Sequence, residues 1–138
     1  MNPIISNTDR RYMSIVHAIA HACHEATRVY YTFIGAPVMK TWEELTDYQR
    51  NGVLAGVRFH LANPRATAED SHLKRCAILY AQGWKHASYK SEEHKTHPCL
   101  VPFEELTERQ REKNRLFVDV VHSLGGIYSA YTQRTGVV

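Results

Sequence analysis

The sequence predicts an all-α domain of four main helices, arranged as two halves about a pseudo-twofold axis with an extended, ordered linker. Three observations carry this reading. A nine-residue phrase occurs twice: Trp42-Glu43-Glu44-Leu45-Thr46-Asp47-Tyr48-Gln49-Arg50 returns 61 positions later as Phe103-Glu104-Glu105-Leu106-Thr107-Glu108-Arg109-Gln110-Arg111, with six of the nine residues identical. Such a repeat marks a duplicated structural unit. Apolar residues also recur at helical spacing in four stretches, and each stretch closes on Gly or Pro. A two-helix unit cannot bury its apolar face alone, so the halves are expected to pack on each other. The single domain spans 1–138, with half 1 about 8–64, half 2 about 67–125 and a C-terminal tail 126–138.

The first helix is predicted from about Asp9 to Phe33. Ile15, Ile19, Ala22, Cys23, Ala26 and Tyr30 share one side of it, and Gly35 with Pro37 beyond ends it. The second starts at Thr46, because Thr46-x-x-Gln49 is a capping box. Val53, Leu54, Val57 and Leu61 form its stripe, and Asn63-Pro64 stops it. Gly52 and Gly56 lie one turn apart on another side, where they would allow close approach of a helix or a ligand. The third runs from Thr67-x-x-Asp70 to Gly83, and a Lys/His/Pro-rich linker follows from Trp84 to Pro102. The fourth opens with the box Thr107-x-x-Gln110, turns Leu116, Phe117, Val120, Val121 and Leu124 inward, and is expected to stop at Gly125-Gly126. The tail beyond is expected to be mobile or to dock on a partner subunit of a homo-oligomer.

Composition narrows the function. A formal charge of +3 and a 43% hydrophobic content suit a soluble domain with an anionic small ligand. Acids alternate with bases, so no nucleic-acid partner is expected. Cys23, Cys76 and Cys99 give neither a disulfide framework nor a thiolate zinc site. No signal-like opening and no long apolar run occur, so no membrane partner is expected and the cytoplasm is the expected location.

The second half carries Gly83-Trp84, a basic stretch from Lys85 to Lys95, and then His97-Pro98-Cys99-Leu100-Val101-Pro102-Phe103-Glu104-Glu105-Leu106. This resembles the RyR domain, the repeat of the ryanodine receptors, over roughly Ser71 to Leu124. The first half is similar to short stand-alone RyR-domain proteins of bacteria and phages, through Cys23-His24-Glu25-Ala26-x-Arg28, Trp42-Glu43-Glu44 and Gly56-Val57-Arg58-Phe59-His60-Leu61-x-Asn63-Pro64. His86-Ala87 stand where many members have Tyr-Gly. The resemblance implies two RyR-like helical halves. It also implies a module for interaction or for sensing nucleotide-derived signals, with no catalysis.

Residues that could hold such a ligand fall in three places. His17, His21, His24 and Arg28 form a row on the first helix, with Tyr31 close by. The row is either a solvated face or a stripe donating to phosphate or carboxylate oxygens. His17 and His21 have zinc spacing, but HExxH is absent and no further ligand set is evident. Arg58 either reaches into a groove between the halves or pairs with an acid such as Glu25. Trp84 is either a core plug or a platform for a base, with Lys85, Lys90, Lys95, His86, His94 and His97 around it in sequence. His72, just inside the third helix, either donates to an anion at the helix N-terminus or is simply an exposed N-terminal histidine.

The predicted ligand-binding set is therefore His21, His24, Glu25, Arg28, Arg58, His72, Trp84, Lys85, Lys95 and His97. No phosphate loop, nucleophile elbow or dinucleotide motif occurs, and no enzyme activity, cofactor or metal is expected. The leading expectation is a non-enzymatic binder of a small anionic ligand of cyclic-nucleotide or ADP-ribose type, such as a phage sponge for an immune signal. The alternatives are an interaction scaffold and a metal-dependent hydrolase built on the histidine row.

Overall fold

The computed structural model describes residues 6–135, with side chains to residue 130. The order is α1 (Asn7–Phe33), a 3-10 turn (Trp42–Glu44), α2 (Asp47–Ala62), α3 (Ala68–Ala81), β1 (Lys85–His86), β2 (Thr96–His97), a second 3-10 turn (Phe103–Glu105) and α4 (Glu108–Thr135). The all-α reading holds. The linker is ordered but doubles back, so that β1 and β2 pair in parallel, Lys85 with Thr96 and His86 with His97.

Local chemistry sets the boundaries. Ser6 caps α1 by accepting from the Asp9 N–H at 3.0 Å, so the helix begins at Asn7, two residues ahead of the predicted start. Gly35, at φ 72°, closes it: its N–H bonds to the Thr32 carbonyl and that of Ala36 to Tyr31. That pairing satisfies two orphan carbonyls, and the positive φ explains the glycine. The capping boxes at Thr46/Gln49, Thr67/Asp70 and Thr107/Gln110 are all formed reciprocally.

The repeated phrase now has a physical meaning. In each copy the Thr caps a helix, the Gln answers it, and the closing Arg reaches back over the 3-10 turn. Arg50 donates to the Trp42 and Glu43 carbonyls and pairs with Asp47 at 2.9 Å. Arg111 donates to the Glu104 and Leu106 carbonyls and pairs with Glu108 at 2.7 Å.

The core lies between α1, α2 and α4. Val16, Ile19, Ala20, Cys23, Leu54, Val57 and Val121 are buried, with Ile15, Trp42, Val53, Leu61, Phe117, Val120 and Leu124 packed on them. Each fully buried aliphatic contributes about 1.5–3 kcal/mol. Gly56 serves the packing role its spacing suggested, since a Cβ there would come 3.1 Å from the Phe117 ring. Gly52 has nothing within 4 Å.

One boundary differs. α4 does not stop at Gly125-Gly126 but runs through both to Thr135. Neither glycine has a positive φ. Gly125 is instead a point of close approach, because a Cβ there would sit 2.8 Å from Leu61 Cδ2. The tail expected from residue 126 is thus helical to 135, and 136–138 lie outside the described residues.

Candidate functional site

The ten candidate residues are divided among three places. His21, His24, Glu25 and Arg28 bind the first connector to α1. His24 is 9% exposed, and its Nε2–H donates to the Lys40 carbonyl at 2.6 Å. Glu25 accepts from the Trp42 N–H at 3.1 Å and from Arg28 Nε at 2.9 Å. The Arg28 bond, then the backbone bond, hold its carboxyl below the usual range. His21 stacks on Trp42 with centroids 5.8 Å apart and lies 3.6 Å from a Glu43 oxygen. In this arrangement Arg28 and His24 are engaged by the protein itself.

Arg58 is exposed elsewhere, with its guanidinium 3.6 Å from Met13 Sδ, near the start of α1. It is not paired with Glu25.

The remaining residues surround the second connector. Trp84 is buried at 7% exposure, 6.3 Å from the His97 ring, so it is the core plug rather than an open stacking face. Lys95 donates to the Gln82 carbonyl at 2.8 Å and so closes the α3 C-terminus. Lys85 is exposed, and its N–H bonds to the Lys95 carbonyl. His72 is buried and donates through Nε2 to the Val101 carbonyl at 2.7 Å, with Cys76 Sγ 3.4 Å away. Its predicted role at an open helix terminus is therefore filled by a structural bond.

His97 stands in the most unusual environment. The Cys99 N–H donates to its Nδ1 at 3.0 Å, so the neutral ring carries its proton on Nε2. No acceptor for that N–H occurs among the described residues. Burial, then the charges of Arg75, Lys90 and Lys113 and neighbouring His72, push its pKa down to about 4. The same three cations act on Cys99, whose thiol burial nonetheless pushes up. Gln110 Nε2 donates to Cys99 Sγ at 2.9 Å.

Arg75 comes from α3, Lys90 from the β1–β2 loop and Lys113 from α4. Lys113 Nζ also lies over the Tyr31 ring of α1, 5.7 Å from its centroid. Surrounding protein atoms, then Arg75 and Lys90, pull the Lys113 pKa down to about 8. The residue as a whole is nevertheless exposed. Among the described residues none of the three cations has a carboxylate partner within ion-pair distance. Three segments thus bring positive charge to bear beside the neutral N–H donor of β2.

His72, Trp84 and His97 lead to this place from the sequence, and Lys90 was legible as one of the cations around Trp84. Arg75 and Lys113 carried no local signal. Each is one charge on an amphipathic helix, and only the packing of α3 against α4 brings them together.

Residues 60–124 match the family model of the RyR domain, a span that contains Arg75, Lys90, His97, Cys99 and Lys113. No curated protein matches the chain.

Proposed function

We propose, with residues 60–124 of this chain belonging to the RyR-domain family, that it is a non-enzymatic binding protein for a small anionic, nucleotide-derived ligand. The ligand is held at Arg75, Lys90 and Lys113 beside His97. The observation that carries this reading is that the charges of Arg75, Lys90 and Lys113 all act on His97, and none of the three has an acidic partner among the described residues. Like charges acting on one place repel each other, and a phosphate group would reverse the sign of that energy. Arg75 supplies a bidentate fork, the lysines supply point charges, and His97 Nε2–H supplies a neutral donor. Tyr89, next to Lys90 and 53% exposed, offers the aromatic face that buried Trp84 does not. A stoichiometric binder of this kind would serve as a sponge that sequesters an immune signal for a phage.

Native mass spectrometry against cyclic dinucleotides, cyclic ADP-ribose isomers and ordinary nucleotides tests the reading. The expected result is a discrete adduct, released unmodified on denaturation and lost in Arg75→Ala and Lys113→Ala. A chemically altered ligand would show an enzyme instead. An adduct indifferent to both substitutions would place the site elsewhere.

A scaffold role is the second reading, favoured by α3. Among its residues only His72 is buried, and Leu73 and Tyr80 are 56% and 54% exposed. No adduct across the panel, together with a protein partner lost in Leu73→Asp, would favour it.

A further inference from the structure

We propose that His21, Glu25 and Glu43 form a binding site for a divalent first-row transition metal ion, zinc being the probe of choice. One ligand atom from each of these residues lies within 4.8 Å of the others. His21 and Glu25 are four residues apart on α1 and so share a face, while Glu43 enters from the first 3-10 turn. His21 Nε2 and Glu43 Oε1 are 3.6 Å apart. Two ligands on a tetrahedral zinc stand about 3.4 Å apart, given bonds of about 2.0–2.2 Å. The wider pairs must close by roughly 1 Å or more. Both wider pairs involve Glu25; Glu43, its side chain 70% exposed, closes one of them, and a small rotation of the His21 ring, 47% exposed, closes the other.

Two of the three ligands are already oriented by neighbours. The His21 ring lies nearly parallel to Trp42, at an interplanar angle of 17°. Glu25 is fixed by the Trp42 N–H and Arg28 Nε, one on each oxygen. Each of those oxygens keeps a lone pair, and hydrogen-bonded carboxylates are the usual form of metal ligand. The two carboxylates balance the charge of a dication, although Arg28 opposes it in part. One imidazole with two carboxylates suits zinc better than magnesium, which prefers oxygen donors and its own waters. This set also differs from the histidine row read in the sequence. His24 Nε2 is taken by the Lys40 carbonyl, and His17 is not part of the group.

The site is separate from the cationic cluster and would stand or fall without it. A bound cation would tie the first 3-10 turn to α1, so its occupancy should be visible as stability. Zinc is titrated into the tag-free full chain by calorimetry near neutral pH, with magnesium as the control and Tm followed in parallel. One-to-one zinc binding with a rise in Tm is expected. Glu43→Gln and His21→Ala should each weaken it by at least about tenfold, and His17→Ala should leave it unchanged. Glu43→Gln alters one exposed side chain, so loss of binding there cannot be ascribed to unfolding. Absence of saturable binding below about millimolar zinc, or an affinity unmoved by both Glu43→Gln and His21→Ala, would overturn the proposal.

Discussion

His24 and His72 occupy equivalent places in the two halves of the molecule. The Nε2–H of His24 donates to the Lys40 carbonyl at 2.6 Å, and that of His72 to the Val101 carbonyl at 2.7 Å. Each carbonyl lies two residues before the aromatic that opens a 3-10 turn, Trp42 or Phe103. Each imidazole stands 6.1 Å from that ring at an interplanar angle of 56°. The histidines are 48 positions apart in sequence, whereas the aromatics are 61 apart. The additional 13 residues of the second connector include β1, the Lys90 loop and part of the approach to His97. The binding candidate is thus built where the second half departs from the first.

His24→Ala and His72→Ala should be similarly destabilising. Each leaves a carbonyl without its partner in a part-buried place and removes the ring that the turn packs on. About 1–3 kcal/mol is expected for each. Urea denaturation with unchanged m-values checks it. A cost under about 0.5 kcal/mol, the level of an ordinary surface change, would mean that these bonds do not hold the connectors.

Lys113→Ala should cost little stability in the free protein, because it removes a like charge from beside Arg75 and Lys90. A change within about 0.5 kcal/mol is expected at low salt. Added inorganic phosphate should raise the wild-type Tm more than that of the variant, since an anion bound only to the folded state stabilises it. Equal shifts in both proteins would remove the cluster as an anion site.

The helices and caps were legible because they are written locally. Thr46/Gln49 and Thr107/Gln110 need only a spacing of three residues, and the stripe of Val53, Leu54, Val57 and Leu61 needs only the helical period. Gly125 misled for a physical reason. A glycine that ends a helix and one that admits a neighbouring side chain look alike in sequence, and only the position of Leu61 separates them. The row of His21, His24 and Arg28 was correctly placed on one helix. Its partners, Trp42, Lys40 and Glu43, come from a connector whose path the sequence does not state. Arg75 and Lys113 required the docking of α3 on α4.

Stability should fall as pH drops below neutrality. His97 and His60 are both held below the ordinary imidazole value in the fold, chiefly by burial, with Arg75, Lys90 and Lys113 adding to the first and His122 to the second. Asp70 opposes the shift at His60. A depressed folded pKa means that the unfolded chain binds more protons below about pH 6.5, so stability is lost as pH falls from there. For His97 the loss continues to about pH 4. At about 1.4 kcal/mol per unit, it accounts for on the order of 3 kcal/mol. Urea midpoints at pH 7 and pH 5 should therefore differ more in the wild type than in His97→Gln. The same pH dependence in both would show that His97 is solvated when the chain is folded.

The two adjacent glycines of α4 should respond to alanine in opposite directions. At Gly126 a new Cβ meets nothing within 4 Å, and the backbone is helical. Gly126→Ala therefore reduces the entropy lost on folding and should stabilise by up to about 1 kcal/mol. At Gly125 the same propensity gain is opposed by a Cβ 2.8 Å from Leu61 Cδ2, which forces that side chain to shift within the core packing. Overpacking costs about 1–3 kcal/mol, so Gly125→Ala should be net destabilising, and Gly125→Ala with Leu61→Val should recover part of the loss. Thermal unfolding of the three variants gives the signs directly. A helix that stopped at these glycines would predict the reverse at Gly126, since alanine would then be forced into the left-handed conformation of a terminating residue.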